Sequence, residues 1–114
     1  MSSSLILLAL VGFSVSAKAG DINKGKALYD RLCVYCHLTT YDDKFGPGLG
    51  GILQRRHKPW LHNFLKDPVE MTKTDEYAKN LKENNEYGIR MPKLSEMQDK
   101  ERREDIIAYL ETLE

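Results

Sequence analysis

Apolar residues along the chain fall into four stretches at helical spacing. The first covers residues 21–36, where Asp21 stands at the N-cap position and the apolar side chains share one stripe. The second covers residues 59–65 and the third about residues 75–83. The last repeats apolar residues at i, i+3, i+4 and i+7, at Ile106, Tyr109, Leu110 and Leu113. No alternating strand pattern of useful length is present, so the pattern predicts an all-α fold.

Glycine and proline mark two of the segments between these helices. Residues 39–51, TTYDDKFGPGLGG, hold four glycines and one proline and are predicted to form a loop. Residues 88–94, GIRMPKL, are predicted to be extended, because Pro92 disfavours the helical conformation at Met91. Asn84 and Asn85 are expected to end the third helix before this extended segment begins.

Three local features give more specific predictions about the first and last helices. Gly25 lies on the apolar stripe of the first helix, where glycine costs about 1 kcal/mol against alanine. We expect either that another backbone passes close to it or that the glycine is merely tolerated there. Ser95 and Gln98 fit a capping box for the last helix. The charged residues 99–105 are expected to be the solvated first half of that helix.

The first 19 residues differ in composition from the rest. An apolar run at residues 5–15 precedes Ala17-Lys18-Ala19, which is the pattern of a secretory signal peptide. The run is shorter than the roughly 20 apolar residues that a membrane-spanning helix needs. The sequence predicts a cleaved signal peptide at residues 1–19 and one mature domain at residues 20–114. An uncleaved anchor and a buried N-terminal segment are the alternatives.

The charge balance excludes some classes of function. Seventeen basic and seventeen acidic residues give a formal net charge of zero. A nucleic-acid-binding domain is usually clearly basic, and a disordered acidic tail is strongly negative. A domain as small as residues 20–114 buries a limited fraction of its surface. A bulky apolar cofactor would help to fill its core.

Both cysteines and one of the three histidines lie within five consecutive residues, CVYCH. Cys33 and Cys36 are three residues apart, so both sulfurs can project to the same side of a helical turn. Each thiol can there add to a haem vinyl group, and His37 can bring an imidazole nitrogen to the iron. C-x-x-C-H is a known haem-attachment sequence. In a secreted chain without other cysteines, haem attachment is the interpretation that we favour.

Two other interpretations of the cysteines are open but weaker. A zinc site would combine Cys33 and Cys36 with His57 and His62, but the 20-residue interval is longer than the usual one of about 12–15. His62 is expected to point toward water, and His57 lies among cations that would repel zinc. A disulfide or a redox C-x-x-C pair usually belongs to a thioredoxin-like sheet, which the pattern does not predict.

If haem is bound, the residue opposite His37 decides the function. The candidates are His57, His62, Met71, Met91 and Met97. Met91 is preferred because it lies in an extended segment directly before a proline, whereas Met71 and Met97 are expected to fill the core or to be exposed. A thioether favours ferrous iron and raises the reduction potential. With both axial positions filled, the iron suits one-electron transfer and has no open position for oxygen or peroxide.

Taken in order, these residues resemble the small class I c-type cytochromes over almost the whole of residues 20–114. GDINKGKALYDRLCVYCH is similar to their N-terminal helix and haem motif, RMPKL to their distal Met-Pro segment, and DIIAYLETL to their terminal helix. The resemblance implies three to five helices around one covalently bound haem c. Cys33 and Cys36 would be the attachment points, with His37 and Met91 as axial ligands.

The resemblance also implies several supporting contacts. Gly25 and Tyr29 would pack against the last helix, which contributes Tyr109. The carbonyl of Pro47 would accept a hydrogen bond from His37 Nδ1. The cations Arg55, Arg56 and Arg90 can pair with haem propionates or form an exposed cationic surface, and the placement of the Trp60 indole is left open.

The implied function is that of a soluble, secreted, monohaem cytochrome c in a bacterial periplasm. Such a protein carries single electrons between redox partners, has no catalytic role of its own and has no stable membrane insertion after signal cleavage. It would dock transiently through the haem edge, with an expected ring of lysines at Lys24, Lys26, Lys44 and Lys93. The alternatives are a haem-bearing subunit of a periplasmic redox enzyme and a zinc-stabilised binding module.

Overall fold

The structure is a computed structural model that describes residues 2–12 and 20–114. These residues form six α-helices and no strand, which confirms the all-α prediction. A π-helical turn, Tyr29–Cys33, continues the first helix, and a 3-10 turn, Ser95–Gln98, precedes the last. The helices are α1 (Ile22–Leu28), α2 (Ile52–Arg55), α3 (Lys58–Lys66), α4 (Pro68–Thr74), α5 (Glu76–Glu83) and α6 (Lys100–Leu110).

The N-terminal segment stands apart from these helices. Residues 2–12 form no helix or strand, and their apolar side chains are exposed. The Ala17-Lys18-Ala19 motif lies outside the described residues, so the cleavage site stays a prediction. Within the described ranges, no helix is both long enough and apolar enough to cross a membrane.

Aspartates cap four of the helices, α1, α4, α5 and α6, at their N-termini. The Asp21 carboxylate accepts a hydrogen bond from the backbone N–H of Lys24 at 3.0 Å, which confirms the predicted cap of α1. Asp67 does the same for α4, where it accepts from the N–H of Glu70 at 3.0 Å. Pro68 occupies the first turn of α4. It also disfavours the helical conformation at Asp67, the residue at which α3 ends. The sequence pattern did not predict α4, nor the four-residue helix α2.

The packing of α1 against α6 explains the glycine in α1. A Cβ atom at Gly25 would lie 2.0 Å from the carbonyl oxygen of Asp105 and 2.8 Å from Cβ of Tyr109. The backbone that passes close to Gly25 is therefore that of α6. One helical turn further along, the rings of Tyr29 and Tyr109 pack with their centroids 5.5 Å apart. Both contacts implied by the family resemblance are present.

The start of α6 differs from the prediction. Ser95 and Gln98 do not form a capping box, because residues 95–98 make a separate 3-10 turn. Asp99 is the N-cap, and its carboxylate accepts from the N–H of Glu101 at 2.9 Å. The predicted cap was wrong because Asp99, the residue that directly follows the 3-10 turn, is the N-cap of α6.

The first half of α6 is not simply solvated. Arg103 and Asp105 are buried, with relative exposures of 8% and 7%. Asp105 accepts a hydrogen bond from the N–H of Asp21 at 2.8 Å. Arg103 donates from Nη1 to the carbonyl of Met97 at 2.7 Å and from Nε to Nδ1 of His62 at 3.3 Å. These partners satisfy the buried polar groups, and they turn His62 toward α6 instead of toward water.

Candidate functional site

A cavity lies between the loop of residues 39–51, helices α3 and α5, and the segment of residues 88–94. The space that it encloses is about 1190 Å³ when the open mouth is included. Most of its lining is apolar. The four predicted site residues all line it: Cys33, Cys36, His37 and Met91.

Cys33 and Cys36 lie where the π-helical turn Tyr29–Cys33 is followed by a tighter turn. The N–H of Val34 bonds to the carbonyl of Tyr29 at 3.1 Å, five residues back, as in a π-helix. The N–H groups of Cys36 and His37 then both bond to the carbonyl of Cys33, at 3.2 and 3.0 Å. Burial, with Cys36 nearby, raises the pKa of the Cys33 thiol to about 11. No disulfide joins Cys33 and Cys36.

His37 is held in one orientation and one tautomer. Its Nδ1 lies 2.8 Å from the carbonyl oxygen of Pro47, which confirms the contact expected from the resemblance. Because a carbonyl can only accept, Nδ1 carries the hydrogen and Nε2 keeps a lone pair for a metal. Burial lowers the pKa of His37 and so favours the neutral ring. The hydroxyl of Tyr29 donates to the carbonyl of His37 at 2.7 Å.

Gly46 leaves the space that the His37 ring occupies. A Cβ atom at residue 46 would lie 2.5 Å from Cε1 of His37 and 2.9 Å from Nδ1. Any larger residue would have to displace the ring or the loop. The loop glycine therefore sets the position of the imidazole.

Among the candidate sulfur ligands, Met91 is the one that reaches the cavity. It is half-buried and lies in a segment without helix or strand. Met97 is 1% exposed and belongs to the apolar core, and Met71 packs against that core. Of the two outcomes expected for Met71 and Met97, core filling or exposure, the structure shows packing in or against the core.

The other two histidines have partners away from the cavity. His57 accepts a hydrogen bond from the N–H of Trp60 at 3.2 Å and so caps α3. His62 accepts from Arg103 at 3.3 Å. In residues 2–12 and 20–114, no three His, Cys, Asp or Glu side chains form a group that could hold a metal ion. The geometry therefore does not bring together the residues of the zinc interpretation.

One wall of the cavity is aromatic and contains an unpaired hydrogen-bond donor. The Trp60 ring stacks on Phe64 at 4.9 Å and meets the edge of Tyr77 at 5.4 Å between centroids. Trp60 Nε1 is buried without a hydrogen-bond partner. A buried donor without an acceptor is costly, and a haem propionate is an acceptor that would satisfy it. Arg56, whose Nε is also buried without a partner, lies over the Tyr77 ring at 3.8 Å from the centroid but does not line the cavity.

The charged residues that line the cavity all carry positive charge. Arg55 donates to the carbonyls of Gly50 and Gly48, at 2.6 and 2.9 Å, and thereby braces the loop. No acidic side chain of the described residues lines the cavity. The lining cations are Arg55, Lys82 and Arg90. An apolar cavity with a cationic edge fits a flat apolar group that carries carboxylates.

Among the lining residues that the sequence interpretation did not identify as part of the site are Tyr77 and Asn85. Tyr77 lay only within the helix predicted at about residues 75–83, and Asn85 only at its end. The spacing of Asn85 and Gly88 is typical of a turn that an asparagine side chain stabilises. That pattern could have drawn attention to Asn85, whereas nothing in the sequence links Tyr77 to Arg56.

The chain is similar to known cytochromes over most of its length. A family model described as cytochrome c matches residues 22–114. A protein of Synechocystis sp. described as cytochrome c-553-like is 31% identical over 100 residues, covering 68% of this chain and 95% of that protein. A cytochrome c from Rhodothermus marinus has a similar structure, with a TM-score of 0.72 and 25% identity, and the match covers 81% of this chain and 75% of that one.

An engineered cytochrome c from Rhodothermus marinus, described as bound to a carbene intermediate, gives a TM-score of 0.66 at 28% identity with the same coverage of both chains, 81% and 75%. The chain therefore belongs to the cytochrome c family. This is a family of haem-bearing electron carriers rather than enzymes. The all-α fold of the chain and its similarity to class I c-type cytochromes are those predicted from the sequence of residues 20–114.

Proposed function

We propose that residues 1–19 are a cleaved signal peptide and that residues 20–114 form a periplasmic monohaem cytochrome c. One haem c would be attached through the thiols of Cys33 and Cys36. His37 and Met91 would be its axial ligands. The proposal is supported by the apolar run and small-residue motif of the leader, and by the way the four residues converge on one cavity.

The observation that carries the ligand assignment is the selective lining of the cavity. Of the histidines and methionines in residues 20–114, His37 and Met91 line it, and the others have different roles. Two of these others hold α3 in place and two pack in or against the core: His57, His62, Met71 and Met97.

The bound haem supplies a one-electron iron couple. The His37 ring would keep the same orientation in both oxidation states, because Nδ1 is hydrogen-bonded to the Pro47 carbonyl and Gly46 packs closely against the ring. The apolar lining would exclude water, which disfavours the extra charge of ferric iron and raises the potential. Trp60, whose Nε1 is buried without a partner in the cavity wall, would donate a hydrogen bond to a propionate.

Electron exchange would take place at the mouth of the cavity during transient docking. Two lysines of the expected ring form ion pairs with acidic residues, which reduces their charge toward a partner. Lys26 lies 2.8 Å from Asp30, and Lys93 lies 3.5 Å from Asp67. Without Lys18, residues 20–114 hold 16 basic and 17 acidic residues and a formal net charge of −1. Such a small charge gives little long-range attraction to a partner of either sign, so steering would be local.

The test compares matured wild-type protein with Met91→Ala. Loss of the thioether should lower the reduction potential by on the order of 100 mV, within the roughly 0.8 V range that axial ligands control. The reduced variant should also bind carbon monoxide rapidly, whereas the wild type should not.

Met71→Ala is the matched control, since Met71 packs against the core without lining the cavity. It should leave the spectrum and the potential as in the wild type. A Met91→Ala protein with an unchanged spectrum and potential would remove Met91 from the site.

A further inference from the structure

Two loops that are 40 residues apart in sequence meet at the mouth of the cavity. The side-chain amide of Asn85 donates from Nδ2 to the carbonyl of Phe45 at 2.7 Å. The rings of Phe45 and Tyr87 pack edge to face, with centroids 5.3 Å apart. Phe45 belongs to the loop that carries Pro47, and Tyr87 lies four residues before Met91. The contact thus joins the histidine side of the cavity to the methionine side.

The other end of the Asn85 amide shapes the chain that leads to Met91. Its Oδ1 accepts from the N–H groups of Tyr87 and Ile89, at 2.9 and 3.0 Å. The N–H of Gly88 bonds to the carbonyl of Asn85 at 3.1 Å, and Gly88 has a positive φ of 66°. One side chain therefore organises the turn of residues 85–89 and also ties it across the cavity.

Backbone hydrogen bonds do not duplicate this tie. In the described part of the chain, none joins residues 85–94 to residues 39–51. The backbone bonds of Asn85 and Gly88 are local, to residues within three positions. The Asn85 amide and the Phe45–Tyr87 ring contact therefore carry the connection.

We propose that Asn85 is a positioning residue that latches the Met91 segment onto the loop of residues 39–51. The Asn85 latch, formed by Phe45, Asn85 and Tyr87, limits how fast an outside ligand can replace Met91 at the iron. The inference rests on the proposed function, because it takes Met91 to be an axial ligand. Displacement of Met91 requires its segment to swing away, and the latch must open first.

The test uses Asn85→Ala and Asn85→Asp in the matured holoprotein. Alanine removes both the tie to Phe45 and the turn bonds. Aspartate keeps an oxygen that can accept from Tyr87 and Ile89 but loses the Nδ2 donor, and it sets a carboxylate against the Phe45 carbonyl. Asn84→Ala is the matched control, since the exposed Asn84 side chain makes no hydrogen bond among the described residues.

The rate at which imidazole binds the ferric iron is measured by stopped flow. Both Asn85 variants should bind about tenfold faster than the wild type, as expected for the loss of one or more hydrogen bonds that hold the closed state. Asn84→Ala should stay within about twofold of the wild type.

Amide hydrogen exchange separates positioning from general destabilisation. Asn85→Asp should keep the protection of the Tyr87 and Ile89 amides, Asn85→Ala should lose it, and both should keep the protection of α6. If Asn85→Ala loses protection throughout α6, that variant is destabilised as a whole, and the imidazole-binding rate of Asn85→Asp alone then tests the latch. Wild-type rates in Asn85→Asp, with α6 protected, would overturn the latch. A wild type that binds imidazole as fast as Met91→Ala would instead overturn the ligand assignment itself.

Discussion

The two sides of the cavity are held together in different ways. On the histidine side, residues 36–51 are fixed by backbone hydrogen bonds in addition to the side-chain bonds of His37 and Arg55. The N–H of Gly46 bonds to the carbonyl of Cys36 at 2.7 Å, and that of Leu49 to the carbonyl of Leu38 at 2.9 Å. The loop ends with Gly51, whose N–H bonds to the carbonyl of Leu113 at 2.7 Å.

On the methionine side, residues 84–98 depend on side chains for their connection to the rest of the fold. Asn85 reaches the carbonyl of Phe45, and Gln98 reaches the carbonyl of Lys66 at 2.8 Å. Arg103 reaches the carbonyl of Met97 at 2.7 Å. The backbone hydrogen bonds of this segment are local turns in the described residues.

This difference determines which side can be tuned by substitution. A backbone hydrogen bond survives most substitutions, so the histidine side should tolerate change except where a side chain would collide or where Tyr29 or Arg55 loses its bond to the loop. A side-chain hydrogen bond is lost with one residue. The methionine side should therefore be the part of the site where single substitutions change ligand exchange.

The largest effect is expected from an added methyl group on the histidine side. Gly46→Ala would place a Cβ atom 2.5 Å from Cε1 of His37, whose ring is held by Pro47. We expect a loss of about 3 kcal/mol in the free energy of unfolding, measured by denaturant titration of the holoprotein.

Gly88→Ala is the counterpart on the methionine side. No atom lies within 4 Å of a Cβ there, so only the positive φ of 66° opposes it. Its cost should be about 1 kcal/mol. Equal costs for the two variants would contradict the steric role of Gly46.

A smaller effect is expected when the anchor of the methionine side is removed. Arg103→Met leaves the carbonyl of Met97 and Nδ1 of His62 without their donor. The free energy of unfolding should fall by about 2 kcal/mol. Arg102→Met, at an exposed neighbouring position, should change it by less than about 0.5 kcal/mol. If both variants unfold alike, the buried position of Arg103 is not what stabilises the segment.

The smallest effect concerns pH. Burial, together with Arg103, lowers the pKa of His62, so the folded protein favours the neutral ring that accepts from Arg103. This stabilisation is complete above the ordinary histidine pKa of about 6.5 and is lost as the pH falls through the lowered value. Lys58, Lys100 and Glu104 also act on the ring.

His62→Asn, which keeps an acceptor that does not titrate, should flatten this part of the pH profile. Denaturant midpoints at pH 7 and pH 5 measure the difference between the two proteins. A parallel decline in both would show that His62 does not contribute.

Features set by short-range rules could be predicted from the sequence. The spacing of Cys33, Cys36 and His37, the cap at Asp21 and the proline after Met91 each express a local preference. Gly25 was informative because the cost of a glycine inside a helix raised the possibility of close packing, although the sequence left a tolerated glycine open.

Features set by distant partners could not be predicted. Arg103 and Asp105 lie in a charged run, and their burial depends on His62 and Asp21, which are 41 and 84 residues away. The role of Asn85 depends in the same way on Phe45. Where side chains rather than backbone hold a segment, the sequence pattern carries little information about it.

The most direct test of the account is the intact mass of the matured wild-type protein under denaturing, acidic conditions. The account predicts a chain that begins at Gly20 and carries the mass of one haem, because the thioether bonds of Cys33 and Cys36 survive unfolding. A haem-free chain, with the pigment released into the solvent, would contradict it.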